Sequence, residues 1–188
     1  MKLKFITQNS KMKKSTEARV FNFGIPAKET CLGAGECKKF CYAAKGFYLW
    51  STAKNAQHRR WAATKEDDFS LLMVEDIINS QASHIRIHDS GDFYSREYLH
   101  KWFKVMDALP HVIFYAYTKM VPLLEGEKLP KNFTVIYSYG GIFDNKIDRK
   151  KHRFAAIFNE KIPIDFSNAS DNDLNAIGNN KKIGLIAH

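Results

Sequence analysis

Residues 111–118, HVIFYAYT, are apolar or aromatic almost without a break. A strand with one wet face alternates apolar and polar side chains. A run that is apolar on both sides needs cover on both, as a central strand of a parallel sheet has between helices. Val20–Phe23, His84–His88, Phe133–Tyr137, Arg153–Phe158 and Lys182–Ala187 read as further strands, the first ended by Gly24 and Pro26. Trp50–Thr64 is predicted helical, with Trp50, Ala53, Gln57, Trp61 and Thr64 on one stripe and Lys54, His58, Arg59 and Lys65 opposite. Phe69–Ile78 is apolar on most sides, which predicts a well-buried helix. Ser95 is placed to cap a helix carrying Leu99, Trp102, Phe103 and Met106, and Pro110 stops it. Val121–Glu127 and Asp171–Ile177 read as short helices, the second capped by Ser170.

Alternation of about six strands with helices predicts an α/β fold with a mostly parallel sheet and right-handed crossovers. A small partial (βα) barrel fits this order better than a doubly wound sheet. No G-x-G-x-x-G and no G-x4-G-K-S/T occurs, so dinucleotide and P-loop readings lose support. The 188 residues suit a single domain over 1–188, with a cysteine loop near 28–46. A 45% hydrophobic content can fill its core. Met1–Phe5 is short and followed by polar residues, unlike a signal peptide, and no apolar run is long enough to span a membrane. The cytoplasm is the expected compartment.

Cys31, Cys37 and Cys41 are the only cysteines, spaced C-x5-C-x3-C in TCLGAGECKKFCYA. An odd number packed into one loop is not a disulfide framework, which would staple distant segments. Thiolates bind soft metals, and three on a Gly-bearing loop can close around one centre. A structural zinc wants four ligands, so it would need a histidine such as His88 or His188. A 4Fe–4S cluster can keep three cysteines and leave one iron open to a small molecule. The remaining reading is three unrelated buried thiols.

Other candidate groups fall at strand ends, where parallel α/β folds bind ligands. His88-Asp89-Ser90-Gly91-Asp92 follows the second strand; its carboxylates could hold an amine or a ribose hydroxyl, or simply cap a turn. Lys119 ends the third strand and could meet a carboxylate or phosphate. Ser138-Tyr139-Gly140-Gly141 ends the fourth, where paired glycines permit close approach or form a plain turn. His58, His100 and His152 sit in polar contexts and read as surface residues. Lysine and arginine number 29 against 20 acidic residues, a net +9. Lys2, Lys4, Lys11, Lys13 and Lys14 form one basic cluster, and Lys146, Arg149, Lys150, Lys151 and Arg153 another. These fit nucleic acid or another polyanion, or a solvated basic surface.

The segments CLGAGECKKFCYAAKG, RIHDSGDFYSREYLHKW, FYAYTK and IGLIAH together resemble the phage "gene product 88" family over most of the chain. More distantly, the layout resembles radical S-adenosylmethionine enzymes and phage proteins of the gene product 37 and gene product 68 type. That resemblance implies a partial (βα)6 barrel whose cysteine loop holds a 4Fe–4S cluster, with S-adenosylmethionine on the open iron and an external electron donor. Carried over, Cys31, Cys37 and Cys41 become cluster ligands. Ser90, Gly91 and Asp92 take the cofactor's amino group, and Ser138 lies near its ribose or carboxylate. The departures are C-x5-C-x3-C in place of C-x3-C-x2-C, and Ser-Gly-Asp in place of Gly-Gly-Glu. Cluster binding without cofactor cleavage is compatible with both. Two other classes stand beside this enzyme: a phage regulatory or nucleic-acid-binding module with a structural iron–sulfur or zinc site, and a metal-dependent nuclease using Asp89 and Asp92.

Overall fold

A computed structural model of the chain describes residues 4–13 and 18–186. Ala187, His188, Lys2 and Lys14 of the sequence analysis lie outside the described residues. A short helix α1 (Ser10–Lys13) precedes β1 (Val20–Phe23). Three 3-10 turns follow, Glu36–Phe40, Tyr42–Ala44 and Gly46–Leu49. Then come α2 (Ser51–Ala63), α3 (Phe69–Ser80), β2 (His84–Ile87), α4 (Arg96–Ala108) and β3 (Ile113–Thr118). The chain continues through α5 (Val121–Leu124), β4 (Phe133–Ser138), β5 (Phe154–Phe158), β6 (Ser167–Asn168) and β7 (Lys182–Ile186).

The seven strands form one sheet in the order β1-β2-β3-β4-β5-β7-β6, every neighbouring pair parallel. The sheet curls into a half-barrel that does not close, since β1 and β6 stand at opposite edges. Its outer face carries Phe21, Phe23, Ile85, Ile87, Phe114, Ala116 and Phe133. Phe69, Met73 and Ile77 of α3 and Leu99, Trp102 and Met106 of α4 pack on this face. Rings meet edge to face there, as Phe23 and Trp102 do at 5.3 Å. Each such side chain, fully removed from water, contributes about 1.5–3 kcal/mol. Val20, Tyr115, Ile136, Ala155 and Ile183 point to the opposite, concave face with Met12, Ala169 and Ala176. The strand at 113–118 is therefore covered on both faces, which accounts for its unbroken apolar run.

The partial barrel is as expected, with one more strand than the sequence suggested. β6 is two polar residues, too short and too hydrophilic to show a period. It is also out of chain order, because β7 pairs between it and β5. Three helical expectations need correction. Trp50 precedes α2 and is 63% exposed, so the apolar stripe begins with Ala53. The α3 helix is one-sided, with Leu71 and Ile78 exposed, since only one of its faces meets the sheet. Ser170 does not cap the turn at 173–176: its Oγ accepts from the Ile186 amide at 2.7 Å, and Asn172 caps the turn instead. α4 has the predicted Ser95 cap, accepting from Tyr98 N at 3.1 Å. Among the described residues no helix is long and apolar enough to cross a membrane.

Candidate metal and cofactor cleft

The aligned registers bring the carboxyl ends of β1 to β4 to one edge of the sheet, and the predicted site residues gather there. One cleft is lined by Cys31, Cys37 and Cys41 together with His88 to Asp92, Lys119 and Ser138. It opens to solvent. All three cysteines are unpaired thiols, each partly exposed. Burial pushes the Cys31 thiol up to about 11; the Asp92 charge and the Cys41 and Cys37 thiols add to this, against a backbone hydrogen bond that lowers it. Among the described residues, no three His, Cys, Asp or Glu side chains are gathered tightly enough to hold a single metal ion.

The cysteine loop is fixed by its backbone. Ala34 forms an antiparallel bridge with Gly141. Gly35 N and Cys37 N both donate to Gly140 O, at 3.1 and 3.2 Å, and Ile142 N donates to Gly33 O at 3.0 Å. A Cβ on Gly33 would stand 2.8 Å from Lys119 O, so only glycine lets the loop lie against the end of β3. The Asp144 carboxylate accepts from Gly140 N and Gly141 N at 2.8 and 2.9 Å, which holds the receiving turn in shape. The paired glycines therefore dock the cysteine loop.

The His88–Asp92 turn is equally tied down. Ser90 Oγ donates to Ile25 O at 2.8 Å and accepts from Gln57 Nε2 at 3.0 Å. Gly91 has φ +83°, and a Cβ there would sit 2.5 Å from Ile25 Cγ1 and 2.6 Å from Thr30 Oγ1. Asp92 accepts from Phe93 N, Thr118 Oγ1 and Lys119 N at 2.8, 2.7 and 2.9 Å, joining the ends of β2 and β3. With three protein donors on it, this carboxylate is a poor metal partner for Asp89, and the nuclease reading loses support. Lys119 Nζ donates to Ser138 Oγ, Tyr139 O and Ser138 O at 2.8, 2.9 and 3.2 Å. It ties β3 to β4 at the wall of the cleft. Asp89 accepts from Tyr48 Oη at 3.1 Å, and its backbone carbonyl accepts from Tyr42 Oη.

His88 sits at φ +67°, a conformation that costs energy for any residue but glycine. Its imidazole is buried, with Nε2 2.9 Å from Tyr98 Oη, and burial pushes it down to about 3, so it stays neutral. Among the described residues it joins no group of side chains able to hold a metal ion, and the alternative zinc ligand His188 lies outside them.

The sequence reading missed the wall opposite the loop, made by Arg86 of β2 and Tyr117 of β3. Arg86 Nη1 pairs with Asp173 Oδ1 at 3.1 Å, and Tyr115 Oη also donates to Asp173. Burial works against the Arg86 charge, but Asp173 together with the surrounding tyrosines outweighs it and holds the guanidinium firmly charged. A signal was present: Arg86 stands between Ile85 and Ile87 in a strand otherwise buried. Three polar atoms on residues lining the cleft are buried with no protein partner: Arg86 Nε, His88 Nδ1 and Tyr117 Oη. A second cavity adjoins the first and shares Phe40, Tyr42, Arg86, Asp89, Ile157 and Leu185 with it.

The second basic cluster is largely matched from within. Arg153 donates to the carbonyls of Ala176, Asn180 and Gly178 at 2.9, 2.6 and 2.7 Å. Lys146 pairs with Glu125 at 3.1 Å and Lys151 with Asp148 at 3.7 Å, while Arg149 lies over Tyr139.

Comparison with known proteins agrees with the likeness seen in the motifs. Neither a curated protein nor a solved structure matches the chain. A family model described as Gene product 88 matches residues 1–188, and the chain belongs to that family.

Proposed function

We propose that the chain is an iron–sulfur protein, with a 4Fe–4S cluster held by Cys31, Cys37 and Cys41 at the mouth of the half-barrel, and that it works as a radical S-adenosylmethionine-like enzyme. The observation that carries the reading is the meeting of all three cysteines with the ends of β2, β3 and β4 in one cleft. A single tetrahedral ion would need sulfurs roughly 4 Å apart, given bonds near 2.3 Å. The loop does not gather them that tightly. A cluster spreads its thiolates over a wider triangle, which suits three cysteines placed around a cleft. The unpartnered Arg86 Nε, His88 Nδ1 and Tyr117 Oη suit a polar ligand beside it, since buried polar atoms find partners.

When bound, such a cluster with its cofactor supplies one-electron reductive cleavage of a sulfonium. The chain's own residues would do the rest. Cys31, Cys37 and Cys41 would hold the cluster. Neutral His88 and the charged Arg86 would orient a ligand without moving a proton. Phe40, Ile157 and Leu185 would keep water from the wall they share between the two cavities. Ser90, Gly91 and Asp92 shape the site through the backbone, because their side chains are already engaged with protein partners or, for Gly91, absent.

Oxygen-free purification followed by iron, sulfide and zinc analysis tests the reading. About four irons per chain are expected, with most of them lost in Cys37→Ala. Zinc in place of iron, or unchanged metal in Cys37→Ala, would overturn it. Under reducing conditions with S-adenosylmethionine, methionine and 5′-deoxyadenosine are the products expected of the enzyme. Their absence from iron-loaded protein would leave a cluster protein of another kind.

A further inference from the structure

Thirteen large apolar or aromatic side chains are exposed among the described residues, and six of them lie between Leu32 and Trp50. Phe40, Tyr42, Phe47 and Trp50 are from 45% to 63% exposed. Phe47 and Trp50 stand with ring centroids 5.3 Å apart. Tyr42 sends its hydroxyl inward to Asp89 and leaves the rest of its ring outside. Lysines alternate with these rings: Lys38, Lys39, Lys45 and Lys54, against Glu36 as the one acidic residue in 32–54. Glu36 pairs with Lys39 at 2.6 Å. Lys38, Lys45 and Lys54 are exposed and have no ion pair among the described residues. Exposed clusters of this kind mark interaction surfaces.

We infer that this rim binds single-stranded nucleic acid, the rings stacking on bases and the three unpaired lysines meeting phosphates. Stacking faces interleaved with cations are what an unpaired strand presents a use for, and duplex DNA offers no free base faces. A second copy of the chain is disfavoured, since a symmetric contact would set these lysines against themselves. The second basic cluster is a weaker candidate, because most of its cations already have partners in the fold. The inference stands whether or not the neighbouring cleft holds a cluster.

The test uses the full chain, purified without oxygen, with metal content recorded for every variant. Fluorescein-labelled 15-mers of thymidine and uridine are titrated by anisotropy, beside a duplex of equal length and polyglutamate as competitor. Phe47→Ala/Trp50→Ala is expected to weaken binding at least about tenfold, and Lys38→Gln/Lys45→Gln/Lys54→Gln to flatten the log–log salt slope by about 2. Trp50→Phe keeps a stacking face, so it retains affinity while losing the tryptophan quenching that the unlabelled 15-mer produces in the parent. Duplex bound as tightly as single strand, or affinity unchanged in the double variant, would overturn the inference. So would a parent tryptophan signal untouched by the 15-mer. Polyglutamate competing as well as the oligonucleotide would also overturn it and assign the rim to an acidic protein.

Discussion

Asp173→Asn keeps the shape of the side chain inside the half-barrel and removes its charge. The Arg86 side chain, 17% exposed and 3.1 Å from Asp173 Oδ1, would then lose its directly paired counter-charge. A guanidinium cannot shed its proton. Much of the desolvation that Asp173 helps to offset would go uncompensated, at a cost of about 3–5 kcal/mol. For a chain of this size each kcal/mol moves the thermal midpoint by about 2–4 °C, so a fall of roughly 6–20 °C is expected. Arg86→Met/Asp173→Leu removes both charges together and leaves the Tyr115 hydroxyl without its acceptor, a loss of about 1–3 kcal/mol. The double variant should therefore be more stable than Asp173→Asn. Urea unfolding followed by circular dichroism, with the slope checked for constancy, measures both. The reasoning is refuted by a loss under about 0.5 kcal/mol in Asp173→Asn. It is equally refuted by a double variant as unstable as the sum of its single changes.

Stability should also depend on pH through His88. Its imidazole titrates at about 3 when folded and near about 6.5 when unfolded, so only the unfolded chain takes up the proton between those values. This contribution is complete above about pH 6.5 and falls by about 1.4 kcal/mol per unit as the pH drops toward 3. Urea curves at pH 7, 6 and 5 should show that slope and lose it in His88→Asn, which tolerates left-handed backbone; an unaltered slope would contradict the assignment. Gly91→Ala combines φ +83° with a Cβ 2.5 Å from Ile25 Cγ1. It should cost about 1–3 kcal/mol and speed amide hydrogen exchange in the cysteine loop, and parent-like exchange would show that the turn does not brace the loop.

What could be read in advance followed from local pattern. The run at 111–118, the Ser95 cap and the cysteine spacing are each visible within a dozen residues, and they led to the parallel half-barrel and its busy edge. What escaped is non-local. Arg86 meets Asp173 across 87 positions of chain, and nothing near either residue announces the other. β6 owes its existence to a vacant edge on β7, not to its own two residues. Lys119 and Asp92 suit ligand contacts by their positions at strand ends. Their hydrogen bonds to neighbouring strand ends are a second role that a linear pattern does not display. The glycines at 140 and 141 show the same ambiguity, since room for a ligand and room for another loop leave the same mark in a sequence.

The five residues between the first two sulfurs are not slack. Gly33, Ala34 and Gly35 make an excursion that reaches the turn after β4 and returns. The separation of Cys31 from Cys37 is thus tied to the loop's docking on the turn after β4. Any relative that shortens this stretch has to give up its crossing to the fourth strand, so loop length and the Gly-Gly pair should be inherited or discarded together.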